Sequence, residues 1–177
     1  MRPKVYIFRG APASGKGTIV PEFAKKLPKP VALIEQDKLR WEFHLIGRKI
    51  EEVDDEEHRF AFENTLLIYE QYLKRHKYTI ILEGLFTWDD KNASQGNVRQ
   101  LAELAMRYDL PWTSIVLVAD KEELLKRNSA REYAVPSGEF NMLYEKIYTM
   151  IDPSEIVINS TGKTAGETLK ELDLKIT

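Results

Sequence analysis

Apolar positions along this chain follow two spacings. Short continuous runs rich in β-branched residues recur at Val5 to Phe8, Val31 to Ile34, Thr79 to Leu82, Ser114 to Val118 and Ile156 to Ile158. Unbroken runs of this kind suit parallel strands covered on both faces. Between them the apolar residues fall at helical intervals. In Glu56 to His76, Phe62, Leu66, Tyr69 and Leu73 follow i, i+4, i+7, i+11 and define one buried stripe. Asn97 to Tyr108 repeats the pattern with Val98, Leu101, Leu104 and Ala105. Asp120 to Arg131 opens on an acid suited to cap a helix and carries Leu124 and Leu125, and Thr164 to Leu172 carries Leu169 and Leu172. Strands alternating with helices predict right-handed crossovers. The expected fold is α/β, a three-layer α/β/α sandwich on about five parallel strands. In such sheets ligands bind beyond the carboxyl ends of the strands, so the residues that follow each run matter most.

Composition narrows the class. A chain of 177 residues with 43% hydrophobic and 31% charged residues reads as one soluble domain spanning 1–177. No apolar run approaches the roughly 20 residues of a membrane helix, and the first residues lack an apolar leader core, so a cytoplasmic location is expected. The absence of cysteine removes disulfides, thiolate metal sites and cysteine nucleophiles together. A formal charge of -2 gives no global attraction to a polyanion, which argues against nucleic acid as a partner. No pattern specifies an oligomeric state.

The stretch "FRGAPASGKGT" follows the first apolar run and opens a helical segment expected over Gly15 to Leu27. Gly10, Gly15 and Lys16 stand at the spacing of a phosphate-binding loop. Glycines let backbone N–H groups turn toward an anion, the helix N-terminus adds its dipole, and lysine reaches the outer phosphates. Gly10, Ala11, Pro12, Ala13, Ser14, Gly15, Lys16, Gly17 and Thr18 are the expected nucleotide-binding residues. The strict pattern has a hydroxyl directly after the lysine; here Gly17 takes that place and Thr18 comes next. Magnesium is then expected to lean on phosphates and water, with Thr18 as the nearby hydroxyl.

"GAPASGKGT" resembles the loop of the nucleoside monophosphate kinase group, which reads G-K-G-T, and of related small P-loop kinases that phosphorylate hydroxyls. That resemblance implies a P-loop NTPase fold with a short lid, ATP and Mg2+ as cofactors, and a kinase reaction. It leaves the acceptor open. After the second run comes "QDKLR", in which Asp37 and Arg40 lie three apart and share a face at the start of a helix. The arrangement is similar to two branches of the superfamily. In nucleotide kinases the arginine clamps the acceptor phosphate. In polynucleotide kinase-like, zeta toxin-like and antibiotic phosphotransferase-like branches, the aspartate takes a proton from a hydroxyl. Glu35 and Gln36 replace the small residues that precede the aspartate in nucleotide kinases, which favours a hydroxyl acceptor with Asp37 as base. Trp41 either walls the acceptor pocket or, as is commoner for one aromatic on an amphipathic helix, enters the core.

The third run ends at Glu83 and Gly84, where a buried acid is suited to a magnesium-bound water or to the acceptor. The segment from Phe86 through Gly96, with Trp88 and Asp89, either shapes the acceptor site or runs as a surface loop. In "LLKRNSARE", Arg127 and Arg131 at i, i+4 predict one face of a helix. By resemblance to lid arginines, Arg127 would stack on the donor base and Arg131 contact phosphates, within a short helical lid over about 127–140. Ser160 to Lys163 would border the adenine. Two features receive plain structural readings: the acidic "RKIEEVDDEEH" as a solvated connection, and the histidines at 44, 58 and 76 as ordinary helix residues.

The combined expectation is an ATP-dependent phosphotransferase acting on a hydroxyl of a small-molecule acceptor. A nucleoside monophosphate kinase, a 5'-hydroxyl polynucleotide kinase and a non-catalytic nucleotide-binding module are the alternatives.

Overall fold

The computed structural model of the protein describes residues 2–49 and 52–176. Ile50 and Glu51, within the acidic connection, lie outside the described residues. Five parallel strands, β1 (Val5–Gly10), β2 (Val31–Glu35), β3 (Thr79–Gly84), β4 (Trp112–Val118) and β5 (Ile156–Asn159), form one sheet in the order β2-β3-β1-β4-β5. The apolar runs mark every strand; β1, β2, β3 and β5 continue past them into the polar and glycine residues that face the site.

Alternation along β1 explains the layers. Val5 and Ile7 enter one core with Phe62, Tyr69 and Leu73 of α3 (Asp55–Leu73) and Val98, Leu101, Leu104 and Ala105 of α4 (Val98–Arg107). Tyr6 and Phe8 enter the opposite core with Ile19, Val20 and Phe23 of α1 (Lys16–Lys26) and Leu172 of α7 (Ala165–Ile176). The α3 stripe read from the sequence therefore packs as expected, and Asp54 caps that helix by accepting from Glu57 N.

A third, smaller apolar cluster joins Ala11, Ala119, Leu124 and Phe140. It packs α5 (Lys121–Ser129) and α6 (Ser137–Tyr148) at the carboxyl end of the sheet. No helix among the described residues is long and apolar enough to cross a membrane.

The first crossover runs from β1 to one side of the sheet, and the chain later passes from β3 over β1 to β4 on the other. The strand order reverses at β1, so the crevice lies at its carboxyl end. Register brings Phe8, Glu83 and Glu35 level there, on three adjacent strands.

Candidate active site

The loop after β1 is shaped by close approach. A Cβ at Gly10 would lie 2.5 Å from the Leu117 carbonyl oxygen and 2.7 Å from Ser14 Oγ, so only glycine lets the chain bend there. Ala13 and Gly15 take positive φ values of 62° and 98°, turning successive amides toward one hollow ahead of α1. Lys16 opens that helix and is buried. Its Nζ donates to Gly10 O at 2.8 Å and Ala11 O at 3.2 Å, and lies 3.9 Å from Glu83 Oε1. Burial pulls the ammonium below its ordinary range, Glu83 and Asp37 oppose this, and Arg131 adds to it. A hollow of amides, a helix N-terminus and one buried lysine fit the phosphates of a nucleotide. Thr18 and Gly17 are exposed on the first turn, and a Cβ at Gly17 would meet nothing within 4 Å.

Across the crevice, Glu83 is only 5% exposed. Burial pushes its carboxyl up to about 7, Asp37 and Glu35 push the same way, and Lys16 and Lys38 oppose. Such a carboxylate beside the phosphate hollow fits a magnesium-bound water. Gly84 lets Gln36 pack over the strand end, since a Cβ there would lie 2.5 Å from Gln36 Oε1. Gln36 Nε2 in turn donates to Gln95 O at 2.8 Å, which draws the loop after β3 against the site.

Asp37 and Arg40 meet as their spacing predicts. Asp37 stands inside α2 (Gln36–Lys38), with Glu35 at the cap position, and the chain continues as a π-helical turn over Leu39–His44. Arg40 Nη1 donates to Asp37 Oδ1 at 3.1 Å. The Asp37 side chain is 46% exposed, whereas the Arg40 side chain is 2% exposed. Arg40 Nε and Nη2 are buried with no partner among the described residues.

The lid departs from expectation. Helix α5 ends at Ser129, so Arg127 and Arg131 do not share a helical face. The cause is Asn128: its side chain donates to Val135 O at 2.8 Å and accepts from Val135 N at 3.1 Å, folding the chain back. Residues 130–136 are irregular rather than a helical flap, and the following helix starts at Ser137. Arg127 donates to Glu123 Oε1 at 3.0 Å, Ser160 Oγ at 3.0 Å and Ser160 O at 2.8 Å, which turns it to the loop after β5. Arg131 is exposed, and its charge reaches Lys16. Arg127 is thus held at the loop after β5, whereas Arg131 lies exposed in the irregular segment beyond α5.

Other features differ from the sequence reading or were absent from it. His58 is buried at 7% exposure, with Nδ1 lacking a partner among the described residues. Burial and then Arg40 pull its pKa down, while Asp55, Asp37 and Glu57 oppose. It stands four residues before Phe62, so the buried stripe of α3 extended backward would have found it. Trp41 is half-buried with its ring edge-on to His58 at 6.3 Å, outside both main cores, which corrects the core reading of it. His58, Thr87, Ser94, Gln95, Met142 and Lys146 help line a cavity of about 300 Å³ between α3, the loop after β3 and α6. That loop is pinned by Thr87 and Asn97 and shapes the cavity. Finally, Arg9 at the end of β1 is fully buried and donates through Nε and Nη2 to Glu155 at 2.8 and 2.5 Å.

Comparison with known proteins agrees with the fold. The sequence profile of the AAA domain family matches residues 5–146. Over 165 residues the chain is 26% identical to an L-seryl-tRNA(Sec) kinase of Methanococcus maripaludis, covering 89% of this chain and 59% of that protein. The chain therefore spans about three-fifths of that relative's length. A candidate kinase of Chloroflexus aurantiacus superposes with a TM-score of 0.72 at 16% identity, covering 99% of this chain and 97% of the other. Shikimate kinase of Aquifex aeolicus superposes at 0.62 with 15% identity, covering 97% and 95%. The structural likenesses carry the fold.

Proposed function

This chain belongs to the AAA domain family, within the small P-loop kinases, and from that premise we propose that it transfers the γ-phosphoryl group of ATP to a hydroxyl of a small-molecule acceptor. One observation supports the choice of acceptor: two carboxylates, Asp37 and Glu83, act on the same Lys16, with Glu83 Oε1 3.9 Å from its Nζ. A phosphate acceptor needs cations alone, and two acids would repel it; an alcohol gains from a carboxylate that takes its proton. The named kinase of L-seryl-tRNA acts on a hydroxyl-bearing compound and supports the hydroxyl part of this reading alone, since its acceptor is a charged tRNA and not a small molecule.

In this reading the loop amides and Lys16 hold the donor phosphates, Lys16 giving up its bonds to the Gly10 and Ala11 carbonyls as it turns to them. Arg127 lies against the donor base side, and Arg131 screens charge that spreads in the transition state. Arg40 orients Asp37, whose carboxylate accepts the hydroxyl proton as the new P–O bond forms. The bond to the β-phosphate bridging oxygen breaks, and its electron pair leaves with ADP. Magnesium would neutralise the phosphates, with Glu83 and Thr18 as its protein-side partners, most directly through water.

Asp37→Asn tests this. The expected result is a loss of transfer by about 10²–10⁴-fold, the usual range for one acid–base group, with ATP affinity unchanged. A variant that transfers at the native rate would remove Asp37 as base.

A further inference from the structure

Helix α3 buries one stripe and leaves another in water. Ala61, Phe62, Thr65, Tyr69 and Leu73 are buried, while Glu56, Phe60, Glu63, Leu67, Gln71 and Lys74 are exposed. At about 3.6 residues per turn, the exposed set forms one strip along the whole helix. Phe60 and Leu67, 50% and 62% exposed, stand on either side of its middle. His44 sets its ring against Phe60 at 4.8 Å, and Phe43 and Ile46, close to His44 in the chain, are 74% and 72% exposed. Four of the nine large apolar side chains left exposed among the described residues therefore gather on this face. The others stand singly on α4, α5, α6, α7 and the segment after α5. A gathering of this kind marks an interaction surface, whereas scattered single residues need no explanation.

The charges on the strip say what covers it. The chain enters α3 through Asp54, Asp55, Glu56 and Glu57 and leaves it through Lys74, Arg75, His76 and Lys77. Acids at the start and bases at the end suit the dipole of their own helix, and they also make the strip complementary to its own reverse. A second copy laid antiparallel about a two-fold axis near Asn64, the midpoint of α3, brings each Phe60 onto the other copy's Leu67. Glu56 and Lys74 lie about five turns apart and so on the same edge of the strip, and the two-fold brings each Glu56 to the other copy's Lys74. Lys74 now pairs with Glu70 of its own helix at 3.2 Å, both partly exposed, which leaves the ammonium room for a second carboxylate. Glu63, near the axis, meets its own copy at the rim, where Arg59 one turn earlier offsets the repulsion. Such self-complementarity is what a contact between identical copies requires.

We propose that this face binds a second copy of the chain, forming a two-fold dimer through antiparallel α3 helices with Phe43 and Ile46 at its edge. The contact backs onto the candidate active site: the turn Leu39–His44, which carries Arg40, meets α3 through Trp41 and His58. The dimer is independent of which acceptor the protein uses.

Sedimentation equilibrium from about 5 to about 200 µM tests it, since a patch this narrow implies a reversible dimer with a Kd on the order of 10 µM. Leu67→Glu, at a position already in water, is expected to keep the native melting temperature and to weaken the dimer by roughly tenfold or more. Glu56→Lys and Lys74→Glu each weaken it about threefold to tenfold when alone. Mixed in equal amounts, those two variants recover most of the native affinity, because each then meets the opposite charge.

A protein that stays monomeric at the highest concentration overturns the proposal, whether or not the strip then takes up lipid vesicles or another protein. So does a dimer that Leu67→Glu leaves intact, or one whose charge variants are not rescued by mixing.

Discussion

Arg9 and Arg40 are both buried, yet they do different work. Arg9 lies at the end of β1, and each of its nitrogens has a partner: Glu155 on one edge, and the carbonyls of Phe86, Ile147 and Met150 around the rest. Glu155 is itself closed off by Ser114 Oγ and Asp152 N. This network ties the central strand to the loop after β3 and to the end of α6, and it is satisfied within the protein. Arg40 has one carboxylate, half-exposed, and two donors without partners among the described residues. A saturated buried charge holds the fold, whereas a buried charge with unpartnered donors contributes less to it.

The sharpest way to break that contrast is to remove each cation in turn. Arg9→Met strands Glu155 as an uncompensated buried carboxylate and is expected to cost about 3–5 kcal/mol in urea unfolding. Arg40→Met leaves Asp37 in contact with solvent and should change stability by about 1 kcal/mol or less. Comparable losses in the two variants would dissolve the distinction.

Glu83 falls between the two, a buried acid with a lysine at 3.9 Å rather than in close contact. With a folded pKa of about 7, above the ordinary carboxyl value, the folded state binds more protons than the unfolded state between roughly pH 4.5 and 7. Stability from this group is therefore full below that window and is lost as pH rises through it, by roughly 3 kcal/mol. The melting temperature should fall from pH 5 to pH 8, and Glu83→Gln should flatten the fall. An unchanged profile in the variant would place the titration elsewhere.

The smallest effect is at Gly17. A side chain there meets nothing within 4 Å, so Gly17→Ser should fold as well as the native chain and gain a few tenths of a kcal/mol from helix propensity. A loss above about 1 kcal/mol by thermal denaturation would mean that glycine is needed for backbone approach.

What the sequence disclosed depended on the range of the interaction. Strands were legible because β1 and β3 are unbroken apolar runs, and the phosphate loop because its determinants lie within nine residues. Asp37 and Arg40 were legible as a pair because one helical turn brings them together. The Arg9–Glu155 pair was not, since 146 residues separate its members and only the sheet topology joins them. The lid failed for a similar reason: charge spacing continued the helix to Arg131, while Asn128 captured the backbone of Val135 and ended it. Helix α6 carried a readable stripe in Phe140, Leu143 and Ile147, but its burial is against the lid cluster, the cavity and the Arg9 network rather than the main cores.

The central claim is that the phosphoryl group goes to a hydroxyl, and phosphorus NMR of the product formed from ATP and the preferred acceptor tests it most directly. A phosphomonoester resonance, present with the native protein and missing with Asp37→Asn, is the predicted result. A phosphoanhydride signal from a newly formed diphosphate, or an undiminished monoester signal with Asp37→Asn, would contradict it.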